Sequence, residues 1–289
     1  MSDFLYVNGA IVPREEARLS PLDRGFLYGD GFFETLRLVG GTPFRLARHL
    51  QRLNSSCRET GWGREISPEE VESAVAALVQ RNGVADGYLR ITASRGLHTG
   101  ALAVLEAREP TLVIEARPMD LPPLEGPPAF ALARASFRRD ETCPIWRHKS
   151  LSYLSNVLAL AEARRRGADE VYFLNSRGHL AEGAITNIFL VRGGTLHTPE
   201  VACGLLPGIT REIVMELCAA SGIRCQTGRY EESALAEAEE VFCTNSLRGI
   251  IPVKAILEMP DRHFGENAVT RRLHGLYAAL VRAECAAGK

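Results

Sequence analysis

The chain of 289 residues carries 34 Lys and Arg against 35 Asp and Glu, a formal net charge of −1, with 46% hydrophobic and 24% charged residues. Such values fit a globular chain long enough for one large domain or two modest ones, with a core that needs no disulfide or metal staple. They exclude a disordered chain, a coiled coil and a nucleic-acid binder that works by bulk positive charge. Seven Cys stand singly, without a C-x-x-C pair, which predicts a reducing, cytoplasmic compartment. The start, MSDFLYVNGAIVPREEARL, is acidic early, and no apolar run of about 18 residues occurs. Neither a signal peptide nor a membrane span is expected.

In chain order, Phe4–Val7 and Ala10–Val12 flank Asn8-Gly9, a dipeptide that accepts the positive φ of a tight hairpin turn. A second hairpin is predicted from Phe32–Val39, the turn Gly40-Gly41 and the return Thr42–Arg45. Leu46, Leu50, Leu53 and Cys57 then recur at helical spacing. Ser67-Pro68-Glu69-Glu70 opens another helix, with Ser as N-cap, Pro at the first helical position and Glu70 closing a capping box. With strands at Tyr88–Ser94 and Thr111–Ala116, residues 1–116 make an N-terminal α/β layer. The Pro-rich stretch 117–128 reads as an interdomain linker, and 129–289 as a larger mixed α/β domain. There a helix is expected over Leu151–Arg166, strands at Val171–Leu174 and Ile185–Val191, and a helix from Ile209. Strands at Glu240–Thr244 and Ile250–Ile256 and a final helix over Asn267–Ala286 complete the set.

Several segments carry groups suited to chemistry. Lys149 lies in Trp146-Arg147-His148-Lys149-Ser150-Leu151, and adjacent positive charge and burial favour the neutral, nucleophilic amine. Alone, it reads more readily as a solvated lysine at a helix start. Tyr153, four residues on, would project from the first turn on the same side, as a ligand hydrogen-bond donor or as a half-buried core tyrosine. Glu182-Gly183 precedes the β-branched run Ala184–Val191, which puts a carboxylate at a strand entrance, able to keep a pyridine nitrogen protonated or simply to close a turn. Leu206-Pro207-Gly208-Ile209-Thr210 feeds straight into a helix, and free N–H groups there with the Thr210 hydroxyl suit phosphate as well as a plain turn. Thr244-Asn245-Ser246-Leu247-Arg248-Gly249 offers a second polar clasp or an ordinary turn. Arg52 sits on the Leu-striped helix as a surface arginine or a phosphate clamp. The G-x-G of Gly29-Asp30-Gly31 precedes a strand, so a dinucleotide loop is excluded by context.

Together, YGDGFFETLR, HLQRL, KSLSYLSNVLA, EGAITNIF, LPGITRE and TNSLRGIIPV resemble the class IV, fold-type IV pyridoxal phosphate enzymes: branched-chain aminotransferase, D-amino acid aminotransferase and aminodeoxychorismate lyase. The resemblance spans nearly the whole chain. It implies a two-domain α/β fold, pyridoxal 5'-phosphate as cofactor, and a homodimer acting on small-molecule amino acid and keto acid substrates; the charge balance and the absence of a long apolar run predict no nucleic acid or membrane partner. It further implies Lys149 as the Schiff-base lysine, Glu182 facing the pyridine nitrogen and Tyr153 near the ring 3-oxygen, with Arg52, Ile209, Thr210 and Ser246 on the phosphate. For the substrate pocket, Phe33-Glu34-Thr35 and Tyr88-Leu89-Arg90 resemble branched-chain aminotransferases. Ser94-Arg95-Gly96 and Thr244–Leu247 resemble the lyases, and Arg95–Ala101 lacks the Arg-x-His carboxylate trap of the D-amino acid enzymes. Transamination ranks first, with Phe33, Tyr88, Arg90 and Leu247 around the substrate, and pyruvate release from aminodeoxychorismate second. A non-catalytic binding protein of the same fold ranks last, since both Lys149 and Glu182 are present.

Overall fold

A computed structural model describes residues 3–97, 100, 102–103, 109–264 and 268–287. The chain divides into two compact units, one formed by Met1–Leu121, His148–Tyr153 and Arg282–Lys289, the other by Pro122–Arg147 and Leu154–Val281. The segment around Lys149 therefore belongs to the first unit, although it lies beyond the Pro-rich stretch in sequence.

In the first unit, β1 (Phe4–Val7) and β2 (Ala10–Pro13) are joined by Asn8-Gly9, whose φ values of 46° and 92° are those of the expected tight turn. A short helix α1 (Arg24–Tyr28), not foreseen from sequence, is capped by the Asp23 carboxylate accepting from the Gly25 N–H. It leads into β3 (Gly31–Val39), then β4 (Thr42–Pro43), α2 (Leu46–Glu59), α3 (Pro68–Asn82), β5 (Gly87–Ser94) and β6 (Thr111–Pro118). The six strands form one sheet in the order β2-β1-β6-β5-β3-β4, with every neighbouring pair antiparallel. One core holds Leu50, Leu53 and Cys57 of α2 together with Val71, Val75 and Leu78 of α3 and the inward residues Leu36, Leu38, Leu89 and Ile91 of the sheet. The leucine stripe read from sequence is thus the buried face of α2. The return strand is shorter than expected, because Arg45 adopts φ 60° at the N-cap of α2 and cannot continue it. Only half of the capping box forms: Ser67 Oγ accepts from the Glu70 N–H, but the Glu70 carboxylate takes the Tyr6 hydroxyl instead of returning to the cap.

The second unit contains β7 (Phe130–Arg134), α4 (Leu154–Arg165), β8 (Glu170–Tyr172), β9 (Asn187–Arg192), β10 (Thr195–Pro199), α5 (Ile209–Ser221), β11 (Cys225–Gly228), α6 (Ser233–Glu237), β12 (Glu240–Asn245), β13 (Gly249–Ile256) and α7 (Ala268–Ala287). Its seven strands run in the order β11-β10-β9-β12-β13-β7-β8, a mixed sheet with parallel pairs at both ends. The core is built from Leu132, Tyr172, Ile188, Leu190, Val241, Ile251 and Val253 on the strands, with Leu235 of α6. Strands β7, β10 and β11 were not expected, and β9 begins at Asn187 and not at Ile185. Asn267, the expected start of the last helix, lies outside the described residues. No described helix is long and apolar enough to cross a membrane.

The helix expected from Leu151 begins at Leu154 instead. Residues 149–151 are hydrogen-bonded to the edge of β3: the Phe33 N–H donates to Lys149 O at 2.9 Å, and the Leu151 N–H to Gly31 O at 2.8 Å. Tyr153 consequently sits ahead of the helix, its N–H donated to Leu151 O at 2.8 Å, and not on a first helical turn.

Candidate active site

The first unit groups three of the expected residues around the ring of a fourth, Phe33. Phe33, 6% exposed, lies with the Lys149 amine 4.4 Å from its ring centroid and the Arg90 guanidinium carbon 4.1 Å from it. Tyr153 meets Phe33 edge-on at 5.2 Å and an interplanar angle of 85°, and the amine is 5.5 Å from the Tyr153 ring. Pairing of 149–151 with β3 is what places Lys149 here, so the spacing anticipated on a helix is achieved by a strand edge. On β5, residues alternate between the core and the open face, and Tyr88 and Arg90 share the latter while Leu89 and Ile91 are buried. The Arg90 side chain makes no hydrogen bond with a described residue, and burial lowers its affinity for its proton, with Glu115 opposing. Such a guanidinium is a ready carboxylate receptor. Burial, then the charge of Glu115, raises the Tyr88 phenol. His98, Thr99 and Ala101, in the segment compared with the D-amino acid enzymes, lie outside the described residues.

Arg52 is also in this unit, but its fork grips a protein carboxylate. Its Nε donates to Glu34 Oε1 at 2.8 Å and its Nη2 to Oε2 at 2.6 Å, while His49 Nδ1 lies 2.7 Å from Oε2. Glu34 is 1% exposed. Burial, the largest influence, would raise its carboxyl, yet the charge and hydrogen bonds of Arg52 and His49 outweigh it and hold the group down to about 2. Burial pushes His49 down despite Glu34, with Arg52 and Lys149 acting in the same direction. His49 is therefore neutral near pH 7, its contact with Glu34 is a hydrogen bond, and the ion pair is with Arg52. Neither Glu34 nor His49 was assigned a role from sequence.

The second unit holds the remaining candidates. Glu182, 6% exposed, accepts from Asn187 Nδ2 at 3.0 Å and the Leu206 N–H at 3.1 Å through Oε2, and from Arg139 Nη1 through Oε1. The loop that carries it is tied by Glu170, which is fully buried and accepts from the N–H groups of Val171, Ala184 and Ile185 and from the Thr186 hydroxyl. Burial still raises the Glu170 carboxyl over those four donors. Both Arg139 and Glu170 were missed: one stands in the charged run Arg138-Arg139-Asp140, the other in Asp169-Glu170, and each reads locally as a solvated face.

Ile209 begins α5 where the sequence placed it, and Gly208, its N-cap, offers no side-chain cap. The N–H groups of Ile209 and Thr210 and the Thr210 hydroxyl make no hydrogen bond with any described residue, so a helix N-terminus presents open donors to an anion. A Cβ on Gly208 would fall 1.9 Å from Asn187 Oδ1, which makes glycine obligatory for the pairing of Asn187 with Glu182. Gly208→Ala is expected to lower stability by about 1–3 kcal/mol, measured by denaturant unfolding. At the end of β12, Asn245 Oδ1 accepts from the N–H groups of Leu247 and Arg248, which shapes the loop bearing Ser246 and Leu247. The buried Thr244 Oγ1 has no partner among the described residues. The first unit thus carries an amine held against aromatic rings, and the second a buried carboxylate and open donors at a helix N-terminus, groups of the kinds that a phosphorylated, electron-accepting heterocycle engages.

A family model described as amino-transferase class IV matches residues 31–256, and the chain belongs to that family of enzymes. It is 35% identical over 252 residues to a putative branched-chain-amino-acid aminotransferase of Methanocaldococcus jannaschii, covering 86% of each chain. It is equally 35% identical over 260 residues to the aminodeoxychorismate lyase of Bacillus subtilis, covering 88% of this chain and 87% of that one. The solved branched-chain aminotransferase of the thermophilic archaeon Thermoproteus uzoniensis with norvaline is similar throughout, with a TM-score of 0.88, 30% identity, and coverage of 98% and 96% of the two chains.

Proposed function

We propose that the protein transfers an amino group between an amino acid and a 2-keto acid, using pyridoxal 5'-phosphate. That group, when bound, supplies a reactive carbonyl and a ring that accepts electrons from the substrate's Cα. Lys149 is the amine that bonds it and the base that moves the Cα proton. Glu182 holds a proton at the ring nitrogen, and Tyr153 donates to the ring oxygen. Arg52 on the first unit, and Ile209, Thr210 and Ser246 on the second, are the phosphate-binding residues of this reading. Phe33, Tyr88, Arg90 and Leu247 bound the substrate.

The observation that carries transamination is Arg90, a desolvated guanidinium with no hydrogen bond to a described residue, stacked on the same ring as Lys149. A fixed carboxylate receptor beside a compact aromatic wall suits amino and keto acids that enter and leave one pocket. Stoichiometric L-leucine or L-glutamate is expected to convert the loaded enzyme to its pyridoxamine form with release of the keto acid, and a keto acid to reverse it. Both changes are followed by absorbance and mass spectrometry. The second reading, pyruvate release from aminodeoxychorismate, is favoured by the Bacillus subtilis relative, which is as similar as the aminotransferase one. It prevails if no amino acid in an L and D panel changes the spectrum while aminodeoxychorismate yields pyruvate.

The proposal extends to a cytoplasmic homodimer. Phe26 is 78% exposed and Leu19 and Leu22 58% each on the first unit, and Leu154, Val157 and Leu158 are exposed on α4 of the second, apolar surface of the kind a second copy covers. All seven cysteines are free thiols, which suits a reducing compartment.

A further inference from the structure

We propose that Arg139 is a positioning residue that acts through Glu182: it keeps this carboxylate ionised, so that the proton shared with the cofactor stays on the ring nitrogen. The proposal deepens the functional reading above and rests on it.

Arg139 is 1% exposed and its backbone is pinned by the N–H donating to Leu174 O at 3.0 Å. Its guanidinium lies between two rings, with its carbon 4.6 Å from the Trp146 centroid and 4.2 Å from that of Phe173. Only Nη1 makes a side-chain hydrogen bond, to Glu182 Oε1, while Nε and Nη2 are buried without a partner among the described residues. A purely structural role is poorly served by this arrangement. Filling an aromatic box needs an apolar side chain, and a guanidinium there leaves two donors unmet. What the guanidinium alone provides is a permanent charge against one oxygen of Glu182.

Asn187 and Leu206, which bond the other oxygen of the carboxylate, do not supply that charge. The second Glu182 oxygen is held by the neutral donors Asn187 Nδ2 and the Leu206 N–H, which orient it without fixing its ionisation. Arg211 feels the charge of Glu182, but its own guanidinium is bonded to Thr198 Oγ1 and Pro199 O. A carboxylate 6% exposed and facing a pyridine nitrogen can share a proton in two ways, and burial favours the neutral pair in which the carboxyl keeps it. A cation hydrogen-bonded to the carboxylate reverses that preference, because it stabilises only the ionised form. The proton then resides on the nitrogen, where it is needed for electron withdrawal.

The test uses the enzyme loaded with pyridoxal phosphate carrying ¹⁵N at the ring nitrogen, read by ¹⁵N NMR. The wild type is expected at the protonated position and Arg139→Met at the neutral one, with Arg139→Lys returning toward the protonated position because it restores the charge. If Arg139→Met stays protonated while Glu182→Gln becomes neutral, the role of Arg139 is overturned and that of Glu182 stands. If Glu182→Gln also stays protonated, or the wild type takes up no cofactor, the functional reading itself fails. Circular dichroism and cofactor uptake accompany each variant. Loss of fold or of cofactor in Arg139→Met and Arg139→Lys alike overturns the proposal, since the residue is then merely structural.

Discussion

Lys149→Ala is expected to reduce turnover on the order of 10⁴-fold or more, the combined effect of losing a covalent amine and a general base. Cofactor uptake should survive. The phosphate and ring contacts of the proposed site belong to other side chains, and the N–H groups of Ile209 and Thr210 are backbone donors that the substitution does not touch. Stability should change little, because Lys149 is not among the core residues of the first unit. Equilibrium dialysis with pyridoxal phosphate and a single-turnover assay on the same preparation separate binding from chemistry. Loss of both together would make Lys149 a structural residue.

Glu34→Ala is expected to cost about 3–5 kcal/mol, the penalty for removing one partner of a buried ion pair and leaving the other charged. Arg52 and His49 would both lose the carboxylate that fixes them. Glu34→Gln keeps the shape and should be milder, and in both variants phosphate affinity should fall because Arg52 is no longer held. Urea unfolding of the cofactor-free chain reads the first effect, and competition by inorganic phosphate reads the second. The same triad makes stability depend on pH. Glu34 is held down to about 2 from an ordinary 4.5, so its contribution is complete above 4.5 and is lost as pH falls toward 2. His49 is also depressed from its ordinary 6.5, so the unfolded chain takes up that proton first and stability already declines as pH drops below 6.5. Glu34→Gln should remove the lower of the two phases.

The locally encoded parts of the fold were legible. Asn8-Gly9, the stripe Leu46-Leu50-Leu53-Cys57, the N-cap Ser67 and the start of α5 at Ile209 each follow from short-range chemistry, and all four appear in place. What escaped depends on pairing between distant segments. Residues 149–151 carry leucine spacing that continues plausibly into a helix, but their backbone bonds to β3 compete successfully, and nothing local announces that partner. Strand β7 follows immediately on a Pro-rich stretch, and its parallel neighbours β13 and β8 come far later in the chain. The candidate site shows the same division. Lys149, Glu182 and Thr210 stand in segments whose residue types suggest their chemistry, whereas Glu34, Arg139 and Glu170 are charged residues in unremarkable surroundings. Their importance arises from burial, and burial of a charge against its partner is a tertiary event.

Borohydride reduction of the pyridoxal-phosphate-loaded protein, followed by peptide mapping, tests the central assignment most directly, because it fixes the cofactor to the amine that holds it. The chain has three lysines, Lys149, Lys254 and Lys289, so the map has few possible answers. The expected result is one modified peptide, Lys149 carrying the label, and no label in Lys149→Ala. A label on Lys254, or none on a protein that has bound the cofactor, would contradict it.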